Sequence, residues 1–194
     1  MAFMATAAPV FPPDANPPEV EVAFQAAPPE MVAEIIDGEL SLMPRPRPRH
    51  ARAALRLARH LGEFDEEGGG WVILMEPELH LGSKPDKVVP DVAGWRRERM
   101  PEVPDEAAIT IAPDWVCEVL SDRTRRLDRG KKQRIYAREG VKHLWFADPE
   151  AQMVEVFRLE GNRWLLVDTV EADAKVRVEP FEKVELPLSA LWAR

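Results

Sequence analysis

Apolar positions along the chain keep two rhythms. Between residues 51 and 64 they recur at helical spacing, with Ala54, Leu57, Ala58, Leu61 and Phe64 on one face, and the run ends at Gly68-Gly69-Gly70. That pattern predicts an amphipathic helix. Elsewhere the apolar residues come in short runs rich in Val, Ile, Leu and Trp: WVILM at 71–75, ELHL at 78–81, VVPDVAGW at 88–95 and DWVCEVL at 114–120. These read as strands of a mixed sheet. Asp37-Gly38 separates two further apolar runs in EIIDGELSLMP, which is the chemistry of a tight hairpin turn. A second helix is predicted over 127–139, stopping at Gly140. Beyond it VKHLWFAD, MVEVFRL and RWLLVDTV form a C-terminal β-meander with turns at Asp148-Pro149 and Glu160-Gly161-Asn162. The segment from Lys175 to Trp192 reads as a weaker strand with a short closing helix or turn.

The expected fold is therefore α/β, a mixed central sheet flanked by helices, in one domain spanning 30–194. Residues 1–29 are rich in Pro and Ala without periodicity and read as an extended or disordered arm. A chain of 194 residues with 45% hydrophobic content suits one domain with a sizeable core. No apolar run approaches the roughly 18 residues needed to cross a bilayer, and the N-terminus lacks the pattern of a secretory signal, so the expected location is the cytoplasm. Cys117 is the single cysteine, which excludes an internal disulfide and any multi-cysteine zinc site. The four histidines, His50, His60, His80 and His143, form no His-x-x-x-His or His-x-His pair, which argues against a histidine zinc site.

A net charge of -8 argues against a protein that coats nucleic acid non-specifically. Basic residues are nonetheless concentrated locally. Eight Lys and Arg lie between Arg123 and Arg138 against only Asp122 and Asp128. Arg125, Arg129 and Lys131 there, together with His50 at the start of the first helix, are candidate phosphate contacts; a solvated helix face is the competing reading. Arg49, Arg52, Arg56 and Arg59 stripe the outer side of the first helix, where a solvated face is the simpler account.

Two carboxylates stand out because their neighbours are apolar. In DWVCEVL, Trp115, Cys117 and Val119 share one strand face and Val116, Glu118 and Leu120 the other, so Glu118 is a lone charge in a buried strand. Asp91 has the same character in VVPDVAGW, and Pro90 before it predicts an edge, bulge or local break. A buried carboxylate costs several kcal/mol, by order of magnitude, unless a cation, a metal or several donors satisfy it. Two of them on neighbouring strands make a hard-oxygen site suited to Mg2+ or Mn2+. The alternative is a pair of separate structural ion pairs. On the second helix Lys132 shares the packed face with Asp128, Ile135, Tyr136 and Glu139, whereas Lys131, Arg134 and Arg138 face outward. Lys132 either pairs with Asp128 one turn earlier or reaches Glu118.

Pro90-Asp91 followed by Glu118 in the next strand resembles the PD-(D/E)xK nuclease superfamily. The run Glu118-Val119-Leu120-Ser121, Thr124, Asp128-Arg129-Gly130, Lys132, Tyr136, Gly140-Val141, Trp145 and Asp148 resembles the bacterial Uma-two family of restriction-endonuclease type, as do DGEL at 37–40 and PRH at 48–50. The likeness spans about residue 30 to residue 192. It implies a restriction-endonuclease-like fold and a metal-dependent DNA endonuclease working as a homodimer. By the same resemblance Asp91, Glu118 and the carbonyl of Val119 hold Mg2+ or Mn2+, and Lys132 is the catalytic cation, displaced from the strand position where Leu120 stands. Glu39 is a candidate additional ligand. The other functional class left open is a catalytically idle module of the same fold that binds nucleic acid or a protein partner.

Overall fold

The structure is a computed structural model that describes residues 16–66 and 70–192. In chain order its elements are α1 (Pro18–Gln25), β1 (Met31–Ile36), β2 (Glu39–Pro44), α2 (Pro48–Glu66), β3 (Trp71–Met75), β4 (Leu79–Leu81), β5 (Asp86–Val88), β6 (Val92–Arg96) and β7 (Trp115–Val119). Then come α3 (Arg125–Leu127), a π turn (Asp128–Lys132), α4 (Gln133–Arg138), β8 (His143–Asp148), β9 (Met153–Glu160), β10 (Arg163–Glu171), β11 (Lys175–Val176), β12 (Leu186–Pro187) and α5 (Leu188–Trp192).

Alternation places β7 at the centre. Trp115, Cys117 and Val119 enter one apolar layer, with Trp71, Trp145 and the α2 residues Leu57 and Leu61. Val116 and Leu120 enter the opposite layer, with Trp95, Ile135, Tyr136 and Phe146. The six-stranded sheet runs β10-β9-β8-β7-β6-β3, and among its pairs β7 and β8 alone are parallel. A parallel pair needs a crossover, and here the crossover is the helical stretch from α3 to α4. The connection therefore lays Lys132 and Tyr136 across the face that carries Glu118. Trp115 and Trp145 meet edge to face with centroids 5.2 Å apart, and Phe181 closes the group at 5.0 Å from Trp115.

A smaller sheet, β2-β1-β5-β4, packs beside the first. Its β1–β2 hairpin turns at Asp37 (φ 54°) and Gly38 (φ 78°), the two positive dihedrals that a two-residue hairpin loop requires. The single strand expected over VVPDVAGW is two strands. Residues Val89-Pro90-Asp91 carry the chain out of β5 in the small sheet and into β6 in the large one. Pro90 has no N–H to give either ladder, so the break falls there.

The expected extended arm is also corrected in part. Residues 1–15 lie outside the described residues, but 18–25 form a helix. None of its residues is buried, so polar contacts dock it: Lys87 Nζ meets Glu21 at 2.5 Å, and the buried Asn16 donates from Nδ2 to the Pro85 carbonyl at 2.8 Å. Among the described residues no helix is long and apolar enough to cross a membrane.

Candidate active site

Three elements converge on one cavity of about 450 Å³: the Pro90 break, the end of β7 and the π turn. Asp91, Glu118, Asp128, Lys132 and His50 all line it. Asp91 is held by both carboxylate oxygens. Its Oδ2 accepts the Val119 N–H at 2.7 Å, and its Oδ1 accepts from His50 Nε2 at 2.6 Å. The break in the ladder thus re-aims Asp91 toward the next strand and toward the first turn of α2.

Glu118 is 2% exposed, and both Lys132 Nζ (2.8 Å) and Tyr136 Oη (2.6 Å) donate to its Oε1. Among the described residues its Oε2 accepts no hydrogen bond. Lys132, equally buried, also reaches Glu34 Oε1 at 3.2 Å and the Val89 carbonyl at 3.3 Å, while Asp128 stands farther off at 3.8 Å. The pairing with Asp128 is thus the longest of the lysine's carboxylate contacts, and the reach to Glu118 is the shortest. Lys132 makes no direct contact with Asp91, which His50 serves instead. The π turn contributes to this geometry, since widening the helix by one residue in that turn changes how Asp128 and Lys132 project over the sheet.

The electrostatics follow from burial and crowding. Burial pushes the Glu118 carboxyl well above its ordinary range; Lys132 opposes that, and the nearby charges of Asp128 and Asp91 add to it. Burial likewise raises Asp128 to about 6, against the pull of Lys132 and a hydrogen bond from Thr124. Burial alone would lower Lys132, but the charges of Glu118 and Glu34 outweigh it and hold the ammonium well above its usual value. For His50, burial works against the charged ring, but the hydrogen bond and charge of Asp91 overcome it and raise its pKa. Burial raises the Cys117 thiol well above its ordinary value, which keeps it an inert member of the core.

The family model for Uma2, described as "Putative restriction endonuclease", matches residues 21–189. The chain belongs to the Uma2 family. Its fold matches a crystal structure described as a putative nuclease belonging to DUF820, from Anabaena variabilis ATCC 29413, with a TM-score of 0.70 at 24% identity. The alignment covers 88% of this chain and 95% of that one. No curated protein matches the chain. The restriction-endonuclease-like architecture expected from the sequence is the one found.

A family of this type implies a divalent cation, and the residues of this Uma2 chain fit one. Four carboxylates, Glu34, Asp91, Glu118 and Asp128, crowd a region whose direct cationic partners are Lys132 and His50. Four carboxylates thus share two cationic partners, and the buried Oε2 of Glu34 has no hydrogen-bond partner among the described residues. Among the described residues no three His, Cys, Asp or Glu side chains are gathered as a complete ligand set. A divalent cation here would rest on two carboxylates and complete its shell with water.

The other sequence candidates are placed differently. Glu39 lies outside the cavity, 76% exposed at its side chain and paired with Lys131 at 2.9 Å, because the two-residue turn before it directs it to solvent. Lys131 is occupied by the same contact. Arg125 is bound to Asp148 at 2.7 Å, and Arg129 pairs with Glu155 while its guanidinium lies 4.7 Å from the centre of the Phe146 ring. These three cations secure the helix to neighbouring elements and do not line the cavity. Of the four candidate phosphate contacts only His50 does. Glu34 was not singled out in the sequence, yet it is fully buried and receives the Val89 N–H at 2.8 Å as well as Lys132.

Proposed function

We propose that this Uma2 protein is a DNA endonuclease that hydrolyses phosphodiester bonds with Mg2+ or Mn2+. The observation that carries the reading is the arrangement of Asp91, in the link just before β6, and Glu118, on the neighbouring β7, lining one cavity with Lys132 fixed on Glu118 at 2.8 Å. Asp91 and Glu118 would hold the cation, with the Val119 carbonyl as the further ligand that the family resemblance implies. When bound it supplies a water of lowered pKa and stabilises charge developing on the phosphate. Lys132 and Tyr136 both occupy Glu118 Oε1, which leaves Oε2 for the cation. With its pKa raised, Lys132 stays protonated at neutral pH and acts as a fixed charge near the phosphate, not as a proton acceptor.

The reading includes a homodimer, since a two-fold pair of sites serves two strands. The edge strand β10 favours it, carrying Leu165 and Leu166 exposed at 43% and 48%. Light scattering should give twice the monomer mass, and a monomer at micromolar concentration would remove this part of the reading.

Incubation of the protein with plasmid DNA should give nicking or linearisation with Mg2+ or Mn2+ and none with EDTA, and Asp91→Ala should lose it. No cleavage of plasmid or of single-stranded DNA despite calorimetric metal binding would leave a nucleic-acid-binding module as the function. No metal binding at all would leave a structural ion cluster.

A further inference from the structure

Arg125, Arg129, Arg134 and Arg138 of the basic stretch are spent on ion pairs within the protein. Another group is not. Arg45, Arg47 and Arg49 alternate with Pro46 and Pro48 along the connection from β2 into α2; all three are exposed, and all three line the cavity that holds Asp91 and Glu118. Arg47 and Arg49 have no ion-pair partner among the described residues, and Arg45 donates only to the Pro29 carbonyl at 3.3 Å. Pro46 and Pro48 restrict the backbone between them, and the row passes from the extended link at 45–47 into the first turn of α2 at Arg49. Two acids that also line the cavity, Asp122 and Glu150, lie within electrostatic reach of Arg125.

A second cavity of about 440 Å³ continues the first. Arg49, Pro149 and Glu150 line both, and its far wall is Gln152 and the half-buried Trp192. A row of unpaired arginines leading past a recessed carboxylate pair to an aromatic wall has the composition of a track for one strand, with phosphates on the cations and a base against the indole. The carboxylates support the same reading. Glu118 is 2% exposed, so a phosphodiester must enter the cavity to reach it.

Resting on the nuclease reading above, we propose that the substrate is single-stranded DNA, or a single-stranded stretch within a duplex. Its backbone follows Arg45, Arg47 and Arg49 across the active cavity and continues toward Trp192. In a dimer each protomer would hold its own strand.

The test is equilibrium binding without turnover. Fluorescence anisotropy of a labelled single-stranded oligodeoxynucleotide, and of its duplex, would be followed in EDTA over a range of salt. The single strand should bind more tightly than the duplex. Arg47→Ala and Arg49→Ala should each flatten the plot of log affinity against log salt by about 0.7, the release expected for one single-strand phosphate contact. Arg134→Ala, on the outer face of α4, should leave the slope as it was. Trp192→Leu should weaken binding about tenfold and Trp192→Phe much less, since an aromatic face is kept. Circular dichroism would confirm that each variant is folded. Equal affinity for duplex and single strand would overturn the proposal, as would unchanged salt slopes in both arginine variants. The outcome is independent of cleavage. Binding along this track by a protein that never cuts would defeat the nuclease reading and leave the track, whereas cleavage with unaltered arginine variants would do the reverse.

Discussion

Lys131 and Lys132 are adjacent in sequence and opposite in circumstance. Lys132 is buried among Glu34, Glu118, Asp128 and a peptide carbonyl; Lys131 lies at the surface with a single exposed partner, Glu39. Chemically they are the same residue. The rotation between successive helical positions, within a π turn, separates a cation on which three carboxylates depend from one that water could replace. Charge content along a helix therefore says little until the face is known, and the face is decided by what the helix crosses over.

The largest effect that would sharpen this contrast is expected from Lys132→Ala. It should abolish cleavage, and because it strands three carboxylates without their ammonium it should also destabilise the fold by about 3–5 kcal/mol. Urea unfolding with and without Mg2+ would show it, with the cation restoring part of the loss by supplying positive charge. A variant of parental stability and activity would return Lys132 to the class of Lys131.

An intermediate effect belongs to Asp128. Its folded pKa of about 6 lies above the ordinary 3.8, so the folded state holds a proton that the unfolded chain releases. The stability this group contributes is fully present below about pH 4 and is lost as pH rises through about 6. Asp128→Asn cannot release that proton, and its stability relative to the parent should climb across that window. Parallel unfolding profiles for the two proteins would show that Asp128 is not perturbed. The smallest effect should come from Lys131→Ala, with unchanged cleavage and an unchanged urea midpoint, as an exposed pair of this kind predicts. A large loss of activity there would break the distinction between the faces.

Asp91, Glu118 and the packed face of Lys132 were legible because a lone charge inside an apolar run is a local signal, and so is helical spacing. Glu34 carried a similar signal in MVAEII, where every residue from Glu34 to Ile36 is buried, but it stands at the start of the run read as a hairpin and its partners lie far along the chain. The partnership of His50 with Asp91 left no local trace, since it joins residues 41 apart through tertiary packing alone. The basic stretch misled for a related reason. Asp148 and Glu155, which neutralise Arg125 and Arg129, sit at the end of β8 and on β9, and only the assembled sheet brings them to the helix. The break at Pro90 was anticipated, but not that it separates two sheets, because the residues on either side are equally apolar.

That break has a mechanical consequence. Asp91 is the last residue of the link from the small sheet to the large one, while Glu118 lies within the large one. Their separation therefore gauges how the two sheets are aligned. Glu34 sets the gauge from the small-sheet side: from β1 it grips both the Val89 N–H at the hinge and the ammonium on the crossover helix. A slip of one sheet against the other would strain these contacts together with the apolar layer the two sheets share, so the fold's alignment and its chemistry share a single fastening.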